Sequence, residues 1–235
     1  MESTEKQCRN GFRAGIPIMI GYIPAAVAFG VLAKGCGISL VECFLFSAVV
    51  FAGASQFIAL NLFITGMDPA GIVLTTLLVN FRHFLMSAHL STKMKEIAEK
   101  YFFLIAFGVT DETFSVLSFT REKLSVPFIL MLQFSAYSAW VGGTVAGYIL
   151  GGFLPEILTK SMGVALYALL LAILLPEFKK SVRTIIMAVA SGLLNIILIK
   201  SGLLPSGWTI IVCIVAVAAA GALIFEEKET GHKLI

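Results

Sequence analysis

Long uncharged apolar runs, separated by short charged clusters, make up almost the whole chain. They cover residues 14–33, 43–67, 69–81 continuing past Arg82 and His83 to 92, 101–110 continuing past Asp111 and Glu112 to 120, 124–155, 161–176, 184–199 and 201–225. A helix needs about 20 apolar residues to cross the hydrocarbon core of a bilayer. The pattern therefore predicts an all-α polytopic membrane protein with about six to eight transmembrane segments. Run 124–155 has 32 residues, enough for one crossing and an interfacial stretch. Runs 161–176 and 184–199 have 16 each and must borrow flanking residues, with Lys179, Lys180 and Lys200 snorkelling. The loops leave no room for a soluble domain, so a single integral-membrane domain is expected over 1–235, with short tails at 1–13 and 226–235.

Segments 2 and 4 interrupt the apolar pattern from within, with Ser55 and Gln56 in one and Asp111 and Glu112 in the other. Polar groups in mid-run are a mark of broken or re-entrant helices. Loop charge bears on the choice, because Lys and Arg concentrate on the cytoplasmic side. If all eight segments cross, the N-terminal side carries ten Lys and Arg and the other side six, three of them Lys93, Lys95 and Lys100 in one loop. If segments 2 and 4 enter and return, the count becomes thirteen to three. Both versions stay open at the level of sequence, and both place the two termini in the cytoplasm.

Composition narrows the class. Hydrophobic residues are 58% of the chain, charged ones 13%, and the net charge is only +3; the mean hydropathy is +0.95. A soluble domain carries about 25% charged residues, so a soluble enzyme, a disordered protein and a nucleic-acid binder are excluded. Cys8, Cys36, Cys43 and Cys213 show no CxxC spacing, which argues against a zinc site or a disulfide framework. No cofactor is implied. The first run is interrupted by Pro17 and Pro24 and followed at once by others, so it reads as a retained, kinked span, not a cleaved signal.

Ionisable groups inside a membrane segment cost about 2.5–3.5 kcal/mol each and are functional candidates by default. Arg82 lies near the middle of segment 3 and Asp111 near the middle of segment 4. In segment 3, Asn80, His83 and Ser87 form one helical stripe and Arg82, Met86 and His89 another, so the helix is buried in a bundle or lines water. Arg82 fits either a structural ion pair or a fixed charge for a substrate carboxylate. His83 fits a hydrogen-bonded core histidine better than a proton relay. In segment 2, Gly53 and its small neighbours allow close approach to the backbone, while Ser55 and Gln56 offer donors and acceptors. Three central charges, Arg82 against Asp111 and Glu112, leave one anion uncompensated. Pairing one acid with Arg82 and protonating the other resolves this, with Asp111 the expected partner and Glu112 the expected proton site. Gly143, Gly147 and Gly151 form a small-residue face suited to packing within the chain or against another subunit.

Three motifs in order carry a likeness: Gly53-Ala54-Ser55-Gln56-Phe57, Asn80-Phe81-Arg82-His83-Phe84-Leu85 and Thr110-Asp111-Glu112-Thr113-Phe114. With Gly11-Phe12-Arg13 before a Pro-rich first span, the chain resembles the AzlC (BrnF-like) family over essentially its whole length. That resemblance implies the large subunit of a two-component exporter of branched-chain and similar apolar amino acids, driven by the proton gradient. It also implies a small membrane partner of the AzlD (BrnE-like) type. The family often shows an aromatic residue where this chain has Met86. No GxxxxGK[ST] loop occurs, so nothing in the residues supports coupling to ATP.

The reading is thus a non-enzymatic secondary transporter of the cytoplasmic membrane, with a substrate site at mid-membrane between segments 2, 3 and 4. Gly53, Ser55, Gln56, Asn80, Arg82 and His83 are the candidate substrate-binding residues, and Asp111 and Glu112 the proton-coupling ones. Two other classes stay open: a passive channel for small polar solutes, and an intramembrane enzyme built on Ser55, Ser87 and His83, for which no oxyanion-type or metal-ligand spacing is present.

Overall fold

The computed structural model describes residues 3–120, 123–153, 182–202 and 208–224, together with Leu171, Leu175, Phe178 and Leu204. Most of segment 6, Lys179, Lys180, Arg121 and the tail 226–235 lie outside the described residues. The described elements are all helical. α1 spans Thr4–Gly35, α2 Leu40–Leu45 and a π-helical turn Phe46–Val50; α3 spans Gly53–Ile64, α4 Pro69–Lys93, α5 Phe102–Phe107, α6 Asp111–Phe119 and α7 Val126–Leu150. Further along, α8 spans Val182–Ser201 and α9 Trp208–Ile224. α1, α4, α7 and α8 are long and apolar enough to cross a membrane, and Leu40–Val50, Gly53–Ile64 and Trp208–Gly221 are shorter apolar helices. The predicted class, an all-α polytopic membrane protein, is the one observed.

α1 begins ten residues before the apolar run it contains. Ser3 accepts from the Lys6 backbone N–H as N-cap, and the helix continues through Pro17 and Pro24. Lys6, Arg9 and Arg13, in the first three turns, end the apolar pattern without ending the helix, because long cationic side chains can carry their charge out to water. The residues expected as a tail are therefore helical from Thr4 onward.

The chain forms two compact units, one of residues 1–60 with 79–169 and one of 61–78 with 170–235. In the second, α8 packs on α9, where a Cβ on Gly221 would come within 2.4 Å of the Met187 side chain. Asp68 accepts from the Gly71 backbone at 2.8 Å and from the Trp208 indole at 3.4 Å.

The first unit is built on α1 and α7, which run parallel. Contacts advance together along both helices: a Cβ on Gly11 would strike Phe128, one on Gly15 Ser135, one on Gly30 the backbone at Thr144, and one on Gly152 Lys34. The glycines at 143 and 147 complete this contact from the α7 side, with a Cβ at Gly147 only 2.1 Å from the Val27 carbonyl oxygen. The small-residue stripe thus serves packing within the chain; α1 occupies it, and it is not a free face for another subunit. Close backbone approach of this kind suits lipid surroundings, where apolar burial gives helices no reason to associate.

Segments 2 and 4 are both broken. Segment 2 kinks after the π-turn at Phe51, which takes a left-handed backbone (φ 43°), and restarts at Gly53. Segment 4 stops at Phe107 and restarts at Asp111. Straight, residues 102–119 would extend about 27 Å. Instead Lys123 Nζ lies 2.7 Å from Glu96 Oε1, and Lys93 donates to the Ser118 carbonyl. The two ends of segment 4 are therefore side by side, and the segment enters and returns. That fold-back is what the re-entrant version of segment 4 requires. Segment 2 also turns back beside α7, at Phe51–Gly53. Its contacts agree, passing from Tyr148 (hydroxyl to the Ile38 carbonyl, 2.9 Å) through Thr144 (to Ser47, 2.8 Å) to Tyr137 (to the Ala48 carbonyl, 2.9 Å) and back to Trp140 (to Gln56, 3.0 Å).

Candidate functional site

The tips of the two hairpins meet at the middle of α7. Phe51 of the first tip stacks on Phe107 of the second at 6.2 Å, and both rings pack on Tyr137. Four α7 side chains spaced along one face, Gln133, Tyr137, Trp140 and Thr144, hold the hairpins by hydrogen bonds. Gln133 Nε2 donates to the Ile105 carbonyl at the end of α5, which also accepts from the Gly108 backbone N–H at 3.2 Å.

Gly53, Ser55 and Gln56 sit at the first tip, and their polar groups are engaged inside the protein. Gln56 Oε1 accepts from the Ala52 N–H at 3.2 Å and from Trp140 Nε1 at 3.0 Å, while Nε2 donates to Ser47 at 3.0 Å. Ser55 Oγ donates to the Ala52 carbonyl. Gly53 lies under the Trp140 ring, where a Cβ would meet Cη2 at 2.7 Å. This motif shapes the break by tying α3 to α7, and Ser55 and Gln56 are both fully buried.

The second tip carries the charge. Thr110 is the N-cap of α6, in a reciprocal pair with Thr113, so Asp111 and Glu112 occupy the first turn, where the helix dipole favours anions. Adjacent on the helix, they point apart. Asp111 turns to α4, with Oδ2 3.0 Å from Arg82 Nη1. Glu112 turns to α1, where the Tyr22 hydroxyl donates to Oε2 at 2.5 Å and lies 2.8 Å from Thr110 Oγ1. His83 is close enough to Arg82 and Glu112 to interact electrostatically with both. The Arg82 and Asp111 side chains remain 35% and 36% exposed, so the pair is reachable from outside the protein. Asn80 Oδ1 and Arg82 Nε on α4, and Ser118 Oγ two turns further along α6, are buried with no hydrogen-bond partner among the described residues.

Arg82, His83, Asp111 and Glu112 are thus brought together, whereas Gly53, Ser55 and Gln56 belong to the opposite tip. Tyr22 and Trp140 connect the two: their rings meet edge to face at 5.5 Å, with Tyr22 bonded to Glu112 and Trp140 to Gln56. Neither residue stood out in the sequence, nor did Gln133 or Tyr137. The one available signal was Gln133 itself, an amide in a 32-residue apolar run, with Tyr137 and Trp140 four and seven positions on.

Two discontinuous helices whose breaks meet beside fixed charges are an arrangement of the transporter class of polytopic membrane proteins. The particular family follows from comparison: residues 17–154 match the AzlC protein family, a stretch from α1 through α7 that includes both hairpins. The chain belongs to the AzlC family. It is 37% identical over 213 residues to an uncharacterised membrane protein of Archaeoglobus fulgidus (85% of this chain, 94% of that one). It is 32% identical over 192 residues to the inner membrane protein YgaZ of Escherichia coli (78% of each). It is 27% identical over 175 residues to the branched-chain amino acid transport protein AzlC of Bacillus subtilis (73% of this chain, 68% of that one). No solved structure matches the chain.

Proposed function

We propose that this chain exports branched-chain and related apolar amino acids as a secondary transporter, coupled to the proton gradient and working with a small membrane subunit of the AzlD type. One observation carries the reading: a reachable Arg82–Asp111 pair beside a second carboxylate, Glu112, at the tip of a hairpin. A zwitterion needs a cation for its carboxylate, and Arg82 supplies one, with Nε still unpartnered among the described residues. Glu112 is the proton carrier of this scheme, because Asp111 already neutralises Arg82. The name of the Bacillus subtilis relative supports the substrate class. The hairpins point the same way mechanistically, since a tip can rock between its neighbours and change which side the site faces. Both termini and the Lys93–Lys100 loop lie in the cytoplasm, as the thirteen-to-three charge count favours.

Counterflow of labelled leucine tests this in membrane vesicles from cells expressing the chain with an AzlD-type subunit. Saturable leucine exchange, absent from vesicles lacking the chain, is the expected result. Unsaturable leak of small polar solutes would establish a channel instead, and no flux of any apolar amino acid would overturn the assignment.

A further inference from the structure

A half-open cavity of about 370 Å³ lies between α5 and α7, beside the break in segment 4, with Leu104 and Phe134 exposed at its mouth. Its volume is in the lower range of small-molecule sites. Its walls are apolar, with Leu104, Phe107, Leu130 and Tyr137 among them. One polar group interrupts them. Gln133 is only 4% exposed and lines the cavity. Its Nε2 is committed to the Ile105 carbonyl at 2.8 Å, which fixes the amide orientation and leaves Oε1 as acceptor. That Oε1 has no partner among the described residues. Gly108 makes room for it, since a Cβ there would lie 2.6 Å from the same oxygen. A buried acceptor without a donor is costly, and a hydrocarbon occupant such as a lipid chain would not relieve it. The fitting occupant has an apolar body and an N–H donor beside it.

We propose that this cavity is the side-chain pocket of the transport site: it holds the aliphatic side chain of the amino acid, and Gln133 Oε1 accepts a hydrogen bond from the substrate ammonium. This rests on the export reading above and deepens it. It also moves the ammonium acceptor away from the acids: Asp111 is held by Arg82 and Glu112 by Tyr22, whereas Gln133 Oε1 has no partner among the described residues. Gly108 in the cavity wall is three residues from Asp111, so pocket and charged pair share one hairpin tip. Leu130 and Phe107 then set substrate size.

The test compares leucine, alanine and 4-methylpentanoate (leucine without its ammonium) as competitors of labelled leucine counterflow, in the vesicles described above. Leu130→Trp, which fills the cavity, is expected to lower the preference for leucine over alanine about tenfold. Gln133→Leu is expected to weaken leucine about tenfold or more while leaving 4-methylpentanoate little changed, so their difference narrows. The two variants are independent, so loss of folding in one leaves the other decisive. Exchange of leucine with both ratios unmoved, as for a cavity filled by an acyl chain, overturns the pocket and leaves the export reading standing. Wild-type vesicles that exchange no apolar amino acid overturn both.

Discussion

At the scale of single residues, charge arithmetic went further than motif. One cation and two acids in the middle of adjacent segments already required that an acid pair with Arg82, and Asp111 does so at 3.0 Å. The partner of Glu112 was illegible, because Tyr22 sits in an ordinary apolar run and its hydroxyl acquires meaning only when α1 reaches α6. The same holds for Gln56, whose amide is spent on Trp140, a residue 84 positions away. These roles separate by experiment. Glu112→Gln is expected to abolish gradient-driven leucine export while leaving exchange intact. Asp111→Asn leaves Arg82 without its counter-charge and should depress exchange itself. Uphill export by both variants across a pH gradient would exclude either carboxyl as the coupling group. Tyr22→Phe removes the hydrogen bond to Glu112 with little change in shape. It should shift the pH dependence of export while leucine exchange at saturation stays near wild type, and an unmoved pH profile would remove Tyr22 from the coupling.

At the scale of elements, the apolar runs located the helices well wherever a helix was continuous, as in α4 and α7. What they could not convey was the path between helices. A run of 20 apolar residues looks the same whether it crosses once or turns back at its middle. The excess of Lys93, Lys95 and Lys100 hinted at return, and the Glu96–Lys123 pair supplies what composition lacked, a contact between distant loops. The α1–α7 contact gives a prediction of its own. Gly147 lies against the Val27 backbone, which cannot give way as a flexible side chain would. Gly147→Val should therefore cost at least about 1–3 kcal/mol, the range for overpacking a core. The expected outcome is a lower thermal midpoint and little monodisperse protein in detergent. The same substitution at Gly142, where a Cβ would meet nothing within 4 Å, should leave both near wild type.

For the whole molecule, the returning hairpins make a topological prediction. In a cysteine-free background, single cysteines at Glu96 and Lys123 should react with an impermeant reagent from the same side of the membrane, and that side should be the cytoplasm. Labelling from opposite sides would restore a crossing for segment 4. The parallel pair of α1 and α7 also has a meaning in time. Gly30 and Gly147, which touch in the finished protein, are 117 residues apart in the chain. Ribosomes add about 5–20 residues per second, so α1 waits about 6–23 s before its partner is made. During that interval both hairpins have been synthesised, and the α7 side chains that clip their tips do not yet exist. Asp111 and Glu112 therefore enter the bilayer region with α1 and α4 as their company and no frame to seat them. A nascent chain halted before Val126 thus carries both hairpins and none of the α7 side chains that bond their tips.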